Sequence, residues 1–278
     1  MTFRLVNIDE RAALIDDDNY FDLATISAGA IGPDPMQAIS NYDKLHELSA
    51  NLSSFQPTGA LEDVELGPPV PRPRNSFAVG LNYQSHVDEA SMERPAVPLV
   101  FTKFPSCIVG PTAAIELRCE TADYEAELVV VIGASGRDIA AADAWNHVAG
   151  VTVGQDISDR HLQFAAKPPH FDMGKSRDTY GPIGPILVSP DGLVDRDDLS
   201  ITCEVNGERR QTGSSGQLIF DVPALIEYIS GITTLAPGDI IFTGTPEGVG
   251  ATQGKFLAPG DVITTTIDGI GTLTNTCR

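Results

Sequence analysis

Glu125 and Glu127 stand two residues apart at the entrance to an apolar run, Leu128-Val129-Val130-Val131-Ile132. Side chains two apart on a strand project from one face, so both carboxylates would point the same way and lie close together. At a buried site two like charges are costly unless one is protonated or a cation joins them. Asp156 ends a second strand-like stretch, Gly150 to Gln155, and a neighbouring strand could carry it beside the glutamates. Three carboxylates completed by waters suit a hard divalent ion, Mg²⁺ or Mn²⁺, with Ca²⁺ the less favoured choice. An exposed acidic strand end accounts for the same spacing equally well. Zinc is not expected: His46, His86, His147, His161 and His170 are scattered, and there is no C-x-x-C or H-E-x-x-H.

His86 and Glu89 are three apart on a polar stretch that leaves the strand-like segment ending near Leu81, and such a pair shares one helical face. A glutamate there can fix the imidazole tautomer and raise its basicity, which makes a general base for water. Lys175, in Gly174-Lys175-Ser176, could hold a substrate carboxylate or a developing enolate. Thr245 follows the apolar Ile240-Ile241-Phe242 and could offer its hydroxyl to a carboxylate. Taken singly, these residues, with Arg160 and Gln163, also read as a surface pair, solvated loop side chains and a turn. Gly248 to Lys255 misses the Walker spacing by one residue and carries Gln253 where a dinucleotide loop needs its third glycine, so nucleotide binding is rejected.

These groups need strands to hold them. A chain of 278 residues suits one large domain plus a small one, and 42% apolar content is enough for a sizeable core. With 26 glycines and 20 prolines, strand, turn and loop should outweigh long helix. Loose alternation over residues 3 to 23 predicts short strands marked by Phe3, Leu5, Leu14 and Phe21. A helical stretch is expected over Pro35 to Leu52. Four prolines between Pro68 and Pro73 forbid helix and ladder pairing and read as a stiff connector. A small N-terminal domain, 1–67, is therefore expected before a larger domain, 68–278. Beyond the connector, strands are predicted at Ser76–Leu81, Glu127–Gly133 and Gly150–Ile157, the second apolar on both faces and hence central. A short helix is expected at Ala141–Val148, and another capped by Asp221 with Pro223 in its first turn. From Gly238 to Thr274 short Ile/Thr/Val segments alternate with turns.

The formal net charge of −20 would repel phosphate backbones and anionic lipid, which excludes nucleic-acid and membrane-surface partners. An acidic substrate would need a local cation inside this negative field. Cys107, Cys119, Cys203 and Cys277 form no C-x-x-C pair. Met1 to Asn7 shows no signal-peptide apolar region, and no apolar run approaches the ~20 residues of a membrane span. A reduced, cytoplasmic protein with free thiols is expected.

The order of the motifs says more than any one of them. Gly80-Leu81-Asn82-Tyr83 with His86 and Glu89 comes first, then Phe101-Thr102-Lys103 and Gly110-Pro111. Tyr124-Glu125-Ala126-Glu127-Leu128 and Asp156-Ile157-Ser158-Asp159-Arg160 follow. Lys175, Gly181-Pro182-Ile183-Gly184-Pro185, Val205-Asn206-Gly207, Leu235-Ala236-Pro237-Gly238-Asp239 and Thr243-Gly244-Thr245-Pro246 complete the series. Over residues 68 to 278 this series resembles the fumarylacetoacetate hydrolase family. The resemblance implies an α+β, mostly β fold, a mixed β-roll with few helices, and a homodimer. It implies that Glu125, Glu127 and Asp156 bind Mg²⁺ or Mn²⁺, and that His86 and Glu89 lie on a lid and activate water. Lys175 would join them in catalysis, and Tyr83, Arg160, Gln163 and Thr245 would contact substrate. The stretch Thr212 to Gln217 looks looser than the family pattern, which bears on substrate fit rather than on chemistry.

The implied substrate is a small dioxo acid of the acylpyruvate type, held by the metal through its carboxylate and oxo oxygens. Hydrolysis of its carbon–carbon bond through a metal-bound enolate is the first expectation, because only hydrolysis must activate water. Decarboxylation or keto–enol isomerisation of an oxaloacetate- or hydroxydienedioate-type acid is the second. A non-catalytic metal-binding scaffold is the rival of another class, and the intact set of site residues argues against it.

Overall fold

The structure is a computed structural model and describes residues 2–278. The chain begins with a meander of three strands, Arg4–Ile8, Arg11–Asp16 and Asn19–Asp22. Asp9 and Glu10 both take positive φ, 49° and 62°, which gives the tight two-residue turn a twisted hairpin favours. Arg4–Ile8 then pairs antiparallel with Gly181–Val188, deep in the second half of the chain.

From there the main sheet runs through Val148–Gln155, Ala126–Ile132, Ile240–Phe242, Ser76–Gly80 and Leu99–Thr102. The 240–242 and 76–80 strands are parallel and their neighbours antiparallel, so the sheet is mixed, as expected. A second sheet carries Glu208–Ser214, Ser200–Val205, Val262–Ile267 and Gly271–Thr276. Strands at 126–132 and 148–155 match the expected strands Glu127–Gly133 and Gly150–Ile157 within two residues.

Every residue of Ala126–Ile132 is buried. Leu128, Val130 and Ile132 enter one apolar cluster, while Val129 and Val131 enter another on the opposite face. That two-sided burial is why the run is continuously apolar instead of alternating. The second cluster also holds Leu5, Leu14 and Phe21 beside Phe242. Strands from both sides of residue 67 thus share one sheet and one core. Residues 68–75 form neither helix nor strand.

The helical stretch expected over 35–52 is broken into Pro35–Ile39 and Tyr42–Ser49. Ser40 and Asn41 lie at the break, and both side chains bond back to carbonyls of the first helix. Asp221 caps Val222–Ser230 as predicted, accepting from the Ala224 amide at 2.9 Å. The segment Ala141–His147 is a 3₁₀ helix.

Candidate active site

The register of the two central strands builds the site. Ala126 lies opposite Gln155 and Glu127 opposite Gly154, and the Asp156 amide donates to the Glu125 carbonyl at 2.9 Å. Gln155 locks this end of the ladder: its Oε1 accepts from the Glu125 amide at 2.9 Å and its Nε2 donates to Thr265 at 2.8 Å. Gly154 is required here, since a Cβ would come within 2.5 Å of Val129 and 2.8 Å of Phe242. Glu125, Glu127 and Asp156 consequently converge, each offering one oxygen within 4.8 Å of the others, and all three are buried.

Three cations surround them. Lys175 Nζ donates to Glu125 Oε2 at 2.6 Å and to Asp156 Oδ2 at 2.7 Å. Lys103 Nζ donates to Asp156 Oδ1 at 2.7 Å and also to the Lys175 carbonyl. Arg160 spreads its fork over Glu125 Oε1 at 2.6 Å, Asp123 Oδ2 at 2.8 Å and Gln163 Oε1 at 3.0 Å. Burial alone would raise the Glu125 pKa, but Lys175 and then Arg160 hold it well below the usual carboxylate range. Glu127 goes the other way: burial first, then Asp156 and Glu125, push it well above that range. Its hydrogen bond comes from the Gly244 amide at 2.7 Å.

Four acids, Asp123, Glu125, Glu127 and Asp156, thus meet three cations, and Glu127 is the acid that pairs with none of them. A shared proton or a divalent cation would relieve that imbalance. The donor set, three carboxylates converging from two strands, fits a hard cation such as Mg²⁺ or Mn²⁺.

The helix Gln84–Glu89 brings in the histidine. His86 Nδ1 lies 2.7 Å from Glu89 Oε1, and Glu89 Oε2 accepts from the Gly248 amide and the Thr252 hydroxyl, each at 3.0 Å. Burial raises the Glu89 pKa, but the bonds from His86, Gly248 and Thr252 outweigh it and lower it overall. A carboxylate facing Nδ1 places the imidazole proton there and leaves Nε2 as the acceptor. His86 lines one cavity with Glu125, Arg160, Gln163, Lys175 and Thr245. Six residues that the sequence placed in catalysis, metal binding or substrate contact therefore face a common space.

Two of the expected substrate contacts, one of them among these six, are placed differently. The Thr245 hydroxyl donates to the Ala126 carbonyl at 2.9 Å and accepts from Gln211 at 2.8 Å, so it braces the strand end. Tyr83 is fully buried outside the cavity wall, and its hydroxyl has no partner among the described residues. Burial and then the negative charge of Glu127 hold the Tyr83 phenol in its protonated form.

Lys103, Asp123 and Gln211 were not singled out from the sequence. Asp123 continues the two-residue spacing of Glu125 and Glu127, a readable signal. It holds Arg160 and also accepts from the amides of Gly250 and Ala251 at 2.7 and 2.9 Å. The loop that loosely resembles a phosphate cradle is thereby occupied by the chain's own carboxylate. Gln211 lies just before the stretch that departs from the family pattern, and it bonds to Ala126, Thr245 and Pro246.

The family described as fumarylacetoacetate (FAA) hydrolase, C-terminal, matches residues 75–278. The chain is 45% identical over 224 residues to "Oxaloacetate tautomerase YisK" of Bacillus subtilis, covering 78% of this chain and 74% of that protein. It superposes on a solved HpcE-like protein from Mycobacterium smegmatis with a TM-score of 0.93 and 44% identity, over 99% and 98% of the two chains. A maleylpyruvate hydrolase from Sphingobium sp. SYK-6, solved with manganese(II) and pyruvate, gives a TM-score of 0.82 at 29% identity, over 99% and 98%.

Proposed function

Since the chain belongs to the fumarylacetoacetate hydrolase family, we propose that its cavity catalyses the enol–keto interconversion of a small 2-oxo acid with a divalent cation as cofactor. The observation that carries this reading is one space lined by Glu125 of a buried acid triad, a paired ammonium and a carboxylate-anchored imidazole. Enolisation at the carbon next to a 2-oxo group asks for those three things: a Lewis acid, a cation for the carboxylate and one group that carries a proton.

Glu125, Glu127 and Asp156 would hold Mg²⁺ or Mn²⁺, which supplies Lewis acidity toward the 2-oxo oxygen. Lys175 uses two ammonium hydrogens on Glu125 and Asp156 and keeps a third for the substrate carboxylate. His86 Nε2 takes a proton from C3 of the keto form, and Glu89 stabilises the imidazolium across 2.7 Å. The 2-oxo oxygen takes up a proton from solvent to complete the enol; in the ketonising direction the enol hydroxyl gives its proton to solvent while the His86 imidazolium delivers one to C3.

Hydrolysis of a carbon–carbon bond in an acylpyruvate is the second reading. It is favoured by the anchoring of Glu89 on the Gly248 loop, which holds His86 as a base able to deprotonate water, and by the hydrolase among the structural neighbours. Water would then add to the C4 carbonyl, and the C3–C4 bond would break to give an acid and the enol of a 2-oxo acid. A homodimer belongs to the same proposal through the family resemblance, and a reducing compartment such as the cytoplasm through the four free cysteines among the described residues.

The test uses enol oxaloacetate, the enol of a monocarboxylic 2-oxo acid such as phenylpyruvate, and an acylpyruvate, with Mn²⁺ added or withheld. Faster loss of either enol's absorbance without new products supports tautomerisation. Release of a second acid from the acylpyruvate supports hydrolysis. No metal-dependent change with any of the three would remove both.

A further inference from the structure

The cavity does not end at the acids. The Phe101 ring lies 5.4 Å below Lys175 Nζ, so an aromatic wall begins where the substrate carboxylate would sit. Phe101 meets Phe171 edge-on at 5.6 Å between centroids, and Phe171 meets Phe164 in the same way at 6.0 Å. These three rings and Met92 line both the acid-bearing cavity and an adjoining outer trough that continues to Leu99. Met92, Leu99 and Phe164 are 47%, 41% and 50% exposed around this opening. Large apolar side chains gathered at the mouth of a polar site mark a binding surface rather than chance exposure.

The charges along this path are all engaged. His86 is paired with Glu89, Lys175 with Glu125 and Asp156, and Arg160 with Asp123 and Glu125. In the outer trough His170 lies 3.4 Å from Asp172. Lys175 can serve the carboxylate at the head of a ligand. No lining residue offers an uncommitted cation to a second carboxylate at the far end, which would lose its hydration against phenyl rings without compensation.

We propose that the trough is a subsite for an apolar tail, so that the substrate is a monocarboxylic 2-oxo acid bearing an alkyl, acyl or aryl group longer than methyl, not a dicarboxylate. The identity of the head group rests on the oxo-acid reading above. The tail subsite rests on the trough itself, and it distinguishes this chain from a site built for oxaloacetate.

Binding tests it without requiring turnover. The Mn²⁺-loaded protein is titrated calorimetrically with pyruvate, 2-oxobutanoate, 2-oxohexanoate and 2-oxooctanoate, and with 2-oxoadipate as a dicarboxylate of matched length. Each added methylene should tighten binding about two- to fourfold, the gain expected for partial to full burial of a CH₂, while 2-oxoadipate should bind no better than pyruvate. Phe164→Ala should flatten the series, and Phe164→Arg should shift preference toward 2-oxoadipate. A flat series in the unaltered protein, or tighter binding of 2-oxoadipate than of 2-oxohexanoate, overturns the proposal. So does a Phe164→Arg protein that loses a dimer in sedimentation while keeping the chain-length slope, because the face then packs against a second copy. A slope without turnover of any oxo acid would refute the catalytic reading and leave the subsite standing. Turnover without a slope would do the reverse, and no binding of any ligand removes both.

Discussion

Lys103 and Asp156 form an ion pair of 2.7 Å in which neither side chain has any exposed surface. Lys103 also donates to the Lys175 carbonyl, and its ammonium lies 5.7 Å from the Phe242 ring centroid. Asp156 is therefore clamped on both oxygens, Oδ1 by Lys103 and Oδ2 by Lys175. The clamp sets the direction of the carboxylate before any ligand arrives, and it ties the 99–102 edge strand to the central pair.

Removing one partner of a buried pair leaves a charge uncompensated, which costs more than the pair contributes. Lys103→Met keeps the apolar stem and deletes the ammonium. A loss of about 3 kcal/mol in unfolding free energy is expected, read as a lowered urea midpoint. An unchanged midpoint would show that Asp156 does not depend on Lys103 for its charge.

Glu127 is the acid in the cluster without a cation, so its removal should have opposite effects in the two states of the site. Glu127→Gln relieves repulsion with Asp156 and Glu125, and the metal-free protein should become more heat-resistant. Mn²⁺ affinity should fall by more than about tenfold, since even outer-shell losses at metal sites cost that much. Paramagnetic resonance of free Mn²⁺ measures the second effect and thermal unfolding in EDTA the first. Equal Mn²⁺ affinity in both proteins would exclude Glu127 as a ligand.

Much of this site was legible because it follows from short-range rules. The period of two put Glu125 and Glu127 on one face, and Asp156 needed only that the next strand pair antiparallel. His86 and Glu89 needed only one helical turn. Gln211 was not legible, and Lys103 entered only inside the Phe101-Thr102-Lys103 motif without a role: Lys103 lies 53 residues from Asp156 and Gln211 85 from Ala126, and neither pairing has a local pattern. The same limit governs the fold. Prolines at 68–73 show where pairing stops, but not that Arg4–Ile8 adds to a strand beginning at Gly181. The break at Ser40 and Asn41 was readable in principle, because both residues compete for helix carbonyls. The apolar periodicity on either side masks it.

Glu89 supplies a pH dependence with a definite sign. Its native pKa is lowered from the ordinary value of 4.5 by the bonds from His86, Gly248 and Thr252 acting against burial. A depressed acid contributes stability that is present above 4.5 and lost as pH falls through the native value. The tie between helix 84–89 and the Gly248 loop should therefore hold down to pH 4.5 and release below it. The Gly248 amide, which donates to Glu89 at 3.0 Å, reports this in a nuclear magnetic resonance titration. A midpoint above 4.5, or the same midpoint in Glu89→Gln, would contradict the assignment.

The last prediction separates two roles for His86. If His86 carries the proton at C3, every reaction that passes through the enol needs it. If it only deprotonates water, hydrolysis alone needs it. General acid–base help is typically worth ~10²–10⁴-fold in rate. On the proposed function, His86→Ala should slow ketonisation of a 2-oxo acid by about that factor and slow any acylpyruvate cleavage in parallel. His86 makes no hydrogen bond to Glu125, Glu127 or Asp156, though its charge acts on Glu125, so Mn²⁺ affinity should change by no more than about fivefold. Both activities and the affinity are measured on one preparation. Loss of cleavage with ketonisation intact would move His86 to the water and make hydrolysis the primary activity. Loss of neither would reduce the 2.7 Å pair to a contact that closes the helix against the Gly248 loop. A parallel loss with Mn²⁺ binding kept within that limit is the result that places the proton transfer on His86 Nε2.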